Sequence, residues 1–195
     1  GDRPADSLAV LGTELKRAPL PEPVLRTAVE RAAQARRWTD AARFLQALTV
    51  LRPRNPDAWE MLASAREASG DLGGAASAWH ARNRLTGATG DRRMREASLR
   101  LRAGDPRRAL VALADGPSGA SVAELRYRAA LADRLGLLPE ETRTREALVA
   151  KRPQDPDAHM ALAAAFERAG RGAAAEASMG RALALRPNDP DLLLN

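Results

Sequence analysis

The sequence predicts an all-α chain of stacked antiparallel helix pairs, and three observations carry that expectation. Alanine and arginine, both strong helix formers, are abundant, while β-branched residues are scarce and aromatics make up only 3% of the chain. Helix breakers recur at near-constant intervals. The same short motif ends one helical stretch and opens the next at several points along the 195 residues. Large apolar residues are too few to fill one thick core, so thin layers of closely packed helices suit the composition better.

The recurring motif sets the period. Asn55-Pro56-Asp57-Ala58, Asp155-Pro156-Asp157-Ala158 and Asp189-Pro190-Asp191-Leu192 are versions of one element. Leu51-Arg52-Pro53, Lys151-Arg152-Pro153 and Leu185-Arg186-Pro187 are versions of another. The last two copies in each set are 34 residues apart, and the first two are two residues short of three such periods. One middle unit is therefore expected to be two residues short. Proline fits the first turn of a helix, and the Asn or Asp before it can cap free N–H groups. The Arg-Pro pair ends the preceding helix, because proline disfavours helical geometry in the residue before it. Gly70-Asp71, Gly104-Asp105 and Gly170-Arg171 supply a second break inside a unit, where glycine can take a left-handed turn.

The units read 22–55, 56–89, 90–121, 122–155 and 156–189. The third has the expected shorter length, and Asp115-Gly116-Pro117-Ser118-Gly119 cuts its second helix short. Residues 1–21 hold one further helix, over 6–18, with Leu8, Leu11 and Leu15 at helical spacing and Asp6 or Ser7 as its cap. It reads as a cap on the array or the remnant of a preceding unit. Residues 190–195 read as the start of another helix. With Gly1 as a cloning remnant, the chain is expected to be a piece of a longer one.

This period and pattern resemble the tetratricopeptide repeat, or TPR. The second unit carries the resemblance through Trp59, Leu62, Ala63, Gly70, Ala75, Trp79 and Leu85. The fifth carries it through His159, Leu162, Ala163, Phe166, Gly170, Ala175, Met179, Ala182 and Pro187. The first unit fits through Leu25, Ala32, Ala41, Leu45, Leu48 and Pro53, but has Arg36 in place of the turn glycine, with Trp38 just beyond. The third fits through Ala97, Gly104 and Ala109, with Arg93 and Arg100 replacing packing residues. The fourth fits through Leu125, Ala129, Ala132 and Gly136, with Glu141 where a small residue is expected.

The resemblance implies a right-handed superhelical solenoid whose concave face, lined by the first helix of each unit, holds a partner segment. Carried across, the exposed positions on those helices are Arg26, Glu30, Glu60, Met61, Met94, Arg95, Arg126, Tyr127 and Met160. Methionine and tyrosine offer adaptable apolar contact, and arginine pairs with carboxylates in a fork. The expected ligand is a protein or peptide segment, acidic or amphipathic. The family's clamp for chaperone C-termini pairs Lys or Arg with Asn; Arg26 with Glu30, Glu60 with Ser64 and Arg126 with Ala130 do not match it.

Other chemistry finds little support. With no cysteine, thiolate metal sites and cysteine nucleophiles are excluded. His80 and His159 stand apart from any donor cluster, so no metal or other cofactor is expected. Gly87-Ala88-Thr89-Gly90 and Gly116-Pro117-Ser118-Gly119 lack the Gly-Lys-Ser/Thr of a phosphate loop and read as turns. Glu140 and Glu141 follow Pro139 at a helix start, where negative charge meets the helix dipole. No enzymatic activity is expected. Net charge is +6, and Arg92, Arg93, Arg95, Arg100, Arg102, Arg107 and Arg108 crowd the third unit. Nucleic-acid binding there ranks third, behind a partner-binding scaffold and a self-assembling structural repeat that forms a homo-oligomer. No stretch reaches the length of a membrane span. Arginine in place of lysine, with so much alanine, suggests a GC-rich bacterial genome. Similar TPR proteins occur in bacterial envelope systems for pilus assembly, cytochrome maturation and exopolysaccharide secretion. The resemblance selects none of these settings, and the compartment stays open between bacterial periplasm and cytoplasm, with the envelope slightly favoured.

Overall fold

The computed structural model describes the backbone of residues 4–114 and 119–187, with side chains from residue 7 onward. Among the described residues there are eleven α-helices and no strand: α1 Pro4–Arg17, α2 Glu22–Gln34, α3 Trp38–Leu51, α4 Pro56–Ala68, α5 Leu72–Thr86, α6 Gly90–Arg102, α7 Pro106–Ala112, α8 Val122–Arg134, α9 Leu138–Lys151, α10 Pro156–Arg168 and α11 Gly172–Leu185. They form two compact units, Gly1–Ala112 and Leu113–Asn195.

In the unit Gly1–Ala112 each helix from α2 to α6 packs on the next, and α1 touches both α2 and α3. Small side chains sit where helices approach most closely: Ala28, Ala32, Ala63, Ala75, Ala76 and Ala78 are fully buried. Leu25, Phe44, Leu45, Leu62 and Leu99 fill the layers between them. Each such large apolar side chain contributes roughly 1.5–3 kcal/mol on burial. In the second unit α8 packs on α9, α9 on α10 and α10 on α11, around Leu125, Leu148, Leu162 and Phe166.

The punctuation behaves as its chemistry requires. Asn55 and Asp155 cap α4 and α10, each side chain accepting from the two N–H groups of the first turn, at residues 57 and 58 and at 157 and 158. Trp59 Nε1 donates to the Pro53 carbonyl at 2.8 Å, and His159 Nε2 lies 3.0 Å from the Pro153 carbonyl. The indole and the imidazole thus do the same local work, tying a first helix to the loop before it. Gly70, Gly104, Gly136 and Gly170 all take positive φ between paired helices. Arg36 takes φ of 53°, so the first unit makes the same turn without a glycine.

α1 starts at Pro4, so Asp6 and Ser7 lie inside the helix rather than at its cap; proline supplies the favoured first-turn residue instead. α7 has only seven residues and ends at Ala112, followed by turn residues 113–114. Of the breaker cluster expected there, residues 115–118 lie outside the described residues, as does the further helix expected over 190–195.

Candidate binding face

The first helices α2 and α4 flank a groove of about 580 Å³ in the first unit. Its floor is apolar: Val29 and Ala33 of α2, Trp38, Ala41 and Leu45 of α3, and Ala65 of α4. The 3.6-residue repeat places Asp57, Glu60, Met61, Ser64 and Ala68 along the adjoining face of α4. Met61 is 47% exposed, a large apolar side chain left open to solvent. The ionisable residues lining this groove, Asp57 and Glu60, are both acidic.

Of the nine positions expected to meet a partner, Glu60 and Met61 line this groove together. Glu30 is exposed on α2, and Met94 is half-buried on α6. Arg26, Arg95 and Arg126 are exposed but already engaged. Arg26 and Arg52 share the Glu22 carboxylate at 2.7 and 2.8 Å. Hydrogen bonds from Arg52 and then Arg26 hold the Glu22 carboxyl below its usual pKa. Arg95 and Arg102 share Glu67 at 3.1 and 3.0 Å. Arg126 reaches Asp155 at 3.2 Å, and Glu60 receives Arg82 at 2.6 Å. Arg126, Tyr127 and Met160 belong to the compact unit Leu113–Asn195; Tyr127 and Met160 are half-buried.

Two buried carboxylates organise charge that the sequence reading assigned to helix ends or left as departures. Glu96 is 3% exposed and receives Arg100 at 2.9 Å, Asn83 Nδ2 at 3.1 Å and His80 Nδ1 at 3.1 Å. Glu141 is fully buried, with Arg145 and Arg168 both on its Oε1, while Oε2 has no hydrogen-bond partner among the described residues. Burial opposes ionisation of Glu141, but the hydrogen bonds from Arg168 and Arg145 outweigh it and hold its pKa below the ordinary value. The same contact raises the pKa of Arg168. The sequence signal was available: Glu96 with Arg100, and Glu141 with Arg145, stand four apart on one helix, the spacing at which opposite charges meet. Glu140 does more than face a helix dipole, since it pairs with Arg128 at 2.5 Å.

Much of the third unit's cationic cluster is consumed within the chain. Arg93 is buried and donates to the Ala88 carbonyl at 2.7 Å. Arg95, Arg100, Arg102 and Arg108 each reach a carboxylate. Arg95 and Arg82 also stand over the Trp79 ring, at 5.2 and 5.6 Å from its centre. Among the described residues no group of three or more His, Asp or Glu side chains is placed to hold a metal ion. No helix among them is long and apolar enough to cross a membrane.

Compared with solved structures, the chain has the helix-pair architecture of TPR proteins. It superposes on MamA with TM-score 0.51 at 14% identity, covering 85% of this chain and 91% of that one. It superposes on YrrB, described as a TPR protein with an unusual peptide-binding site, with TM-score 0.50 at 15% identity, covering 96% and 95%. The Naa15/Naa10 assembly bound to HypK-THB gives TM-score 0.54 at 18% identity, covering 97% of this chain but 30% of that one. At such identities the likeness is one of fold: an all-α, TPR-like solenoid of antiparallel helix pairs. No protein-family model and no curated protein sequence matches the chain.

Proposed function

We propose that this protein is an interaction scaffold that seats a segment of a partner protein against its first helices. The observation that carries this reading is the groove between α2 and α4, with an apolar floor, exposed Met61 and a carboxylate edge. A concave site with an apolar floor and a few polar groups at its edge is the usual form of a binding site, and Met61 adds adaptable apolar surface to it. The nine expected contact positions divide accordingly. Glu60 and Met61 contact the partner in the groove; Glu30, Met94, Tyr127 and Met160 extend the apolar and polar contacts along other first helices. Arg26, Arg95 and Arg126 contribute by shaping the surface through their ion pairs. Because those arginines are neutralised internally, the partner of this face is amphipathic rather than simply acidic.

The same reading divides the chain into a leading helix over 1–21, five repeats with the boundaries given above, and a further start over 190–195. It assigns no reaction to the chain. It places the protein in a bacterial envelope assembly or export system, a setting that rests on the resemblance of the repeats. A selection of random peptides displayed on phage tests the groove. Peptides enriched on the protein should lose binding to Met61→Asp, with the fold checked by circular dichroism. Retained binding would remove the groove from consideration.

Self-assembly is the second reading, favoured by Val10, Val50 and Val111, which are 57%, 71% and 71% exposed. Light scattering across concentration separates the two, because a strict monomer is incompatible with assembly.

A further inference from the structure

The first unit has a second groove, of about 680 Å³, on a different set of residues. One wall is the end of α1 and the loop that follows, residues 15–20; Leu25 of α2 lies at its base. The other wall is a single stripe of α3: Arg43, Gln46, Ala47, Val50 and Leu51. Those positions follow the 3.6-residue helical repeat over two turns, a straight run of roughly 12 Å. The packing of α1 leaves the far end of this stripe uncovered. Val50 is 71% exposed and Leu51 is 43% exposed, while Leu15, Pro19 and Leu20 face the same groove.

The charge of the groove is one-sided. Its ionisable lining residues, Lys16, Arg17 and Arg43, are all cations. Lys16 and Arg17 are exposed and form no ion pair with a described residue. Arg43 packs closely on α1 at Gly12, where a Cβ would lie 2.9 Å from Nη1. Its contact with Asp40 is long, at 3.4 Å, and its side chain is 44% exposed. This is the opposite of the groove beside α4, where both ionisable residues are acidic and the nearby arginines are spent on internal carboxylates.

We propose that this second groove docks an acidic amphipathic helix of a partner protein. Its apolar side chains, spaced to fall on one helix face, cover Ala47, Val50 and Leu51. Its flanking carboxylates meet Lys16, Arg17 and Arg43, the last able to offer a fork of N–H donors. The expectation of an acidic partner, drawn from the arginine content, then applies to this groove and not to the first-helix face.

The probe is a fluorescein-labelled helical peptide of about 16 residues, with leucines along one face and glutamates elsewhere, followed by anisotropy. We expect binding that weakens as salt is raised, and weakens at least roughly tenfold when every glutamate is replaced by lysine. The Lys16→Glu/Arg17→Glu double variant should reverse that preference, and Val50→Asp should abolish binding. Val111→Asp, on α7, should leave it unchanged. If Val50→Asp does not fold by circular dichroism, the double variant decides, since its two positions are solvent-exposed. The proposal fails if the lysine peptide binds equally well or if the double variant keeps the original preference. It also fails if Met61→Asp abolishes binding while Val50→Asp does not, which would assign the peptide to the other groove. Binding to phosphatidylserine vesicles without binding to the peptide would overturn it, as would a dimer of the protein that Val50→Asp dissociates.

Discussion

Arg36 holds a backbone conformation that costs any residue with a Cβ roughly 1 kcal/mol, because the left-handed region brings Cβ against the carbonyl oxygen. Arg36→Gly should therefore stabilise the first unit by about 1 kcal/mol, less what glycine's freedom in the unfolded chain takes back. A urea melt that shows no gain would mean the turn is not strained. Glu141 is the opposite case, a residue whose environment has been built around its charge. Losing Arg168 would leave the buried carboxylate with Arg145 alone, and Arg168→Ala should cost about 2 kcal/mol of stability. The pH dependence follows from the direction of the shift. The Glu141 pKa lies below 4.5 in the folded state, so folding favours the ionised form. That contribution is present above about pH 4.5 and is lost as pH falls through the lowered native value. Glu141→Gln should flatten this acid limb, so the difference in Tm between the two proteins should shrink from pH 6 to pH 3.

Single helices are held in place by their ends as much as by their faces. α4 and α10 begin with the same device, an Asn or Asp side chain on two backbone N–H groups and a ring nitrogen on the carbonyl of Pro53 or Pro153. Asn55→Ala and Asp155→Ala should each cost about 1 kcal/mol in chemical denaturation. Trp59→His should be tolerated better than Trp59→Phe, because histidine performs this bond in the equivalent place and phenylalanine has no donor. A phenylalanine variant as stable as the original would show that the bond contributes nothing. α8 uses a different start, the reciprocal capping box of Ser121 and Glu124, in which each side chain meets the other's backbone N–H. α7, with seven residues, is too short to hold itself by propensity and depends on its packing against α6 through Ala109 and Leu110.

For the whole molecule, net charge alone is a poor guide to partners. The chain carries +6, yet its arginines are largely distributed against carboxylates a turn or a helix away. Random duplex DNA should show little retention at about 0.15 M salt in a gel-shift assay, since most arginines of the third repeat are already held by carboxylates or a carbonyl. Firm binding with a steep salt dependence would instead restore the nucleic-acid reading.

The helices and their order were legible in the sequence because the signals are local. Asn-Pro-Asp and Asp-Pro-Asp motifs start helices, Arg-Pro pairs and turn glycines stop them, and each acts within one turn of chain. The small residues that let helices approach, such as Ala63, Ala75 and Ala163, were legible for the same reason: their spacing repeats. Charge was not legible in that way. Arg26, Arg95 and Arg126 were rightly placed on first helices but read as free, because the carboxylates that occupy them lie 4 to 29 residues away in the chain. Arg100 and Glu141 looked like departures from a packing pattern and instead belong to ion pairs around a buried carboxylate, Glu96 and Glu141 itself. By itself the sequence determined a TPR-like run of helix pairs, since hydrophobic period and helix punctuation act over a few residues. Only the tertiary structure decided which cations remain available to a partner, because an ion pair depends on distances between helices that no local spacing encodes.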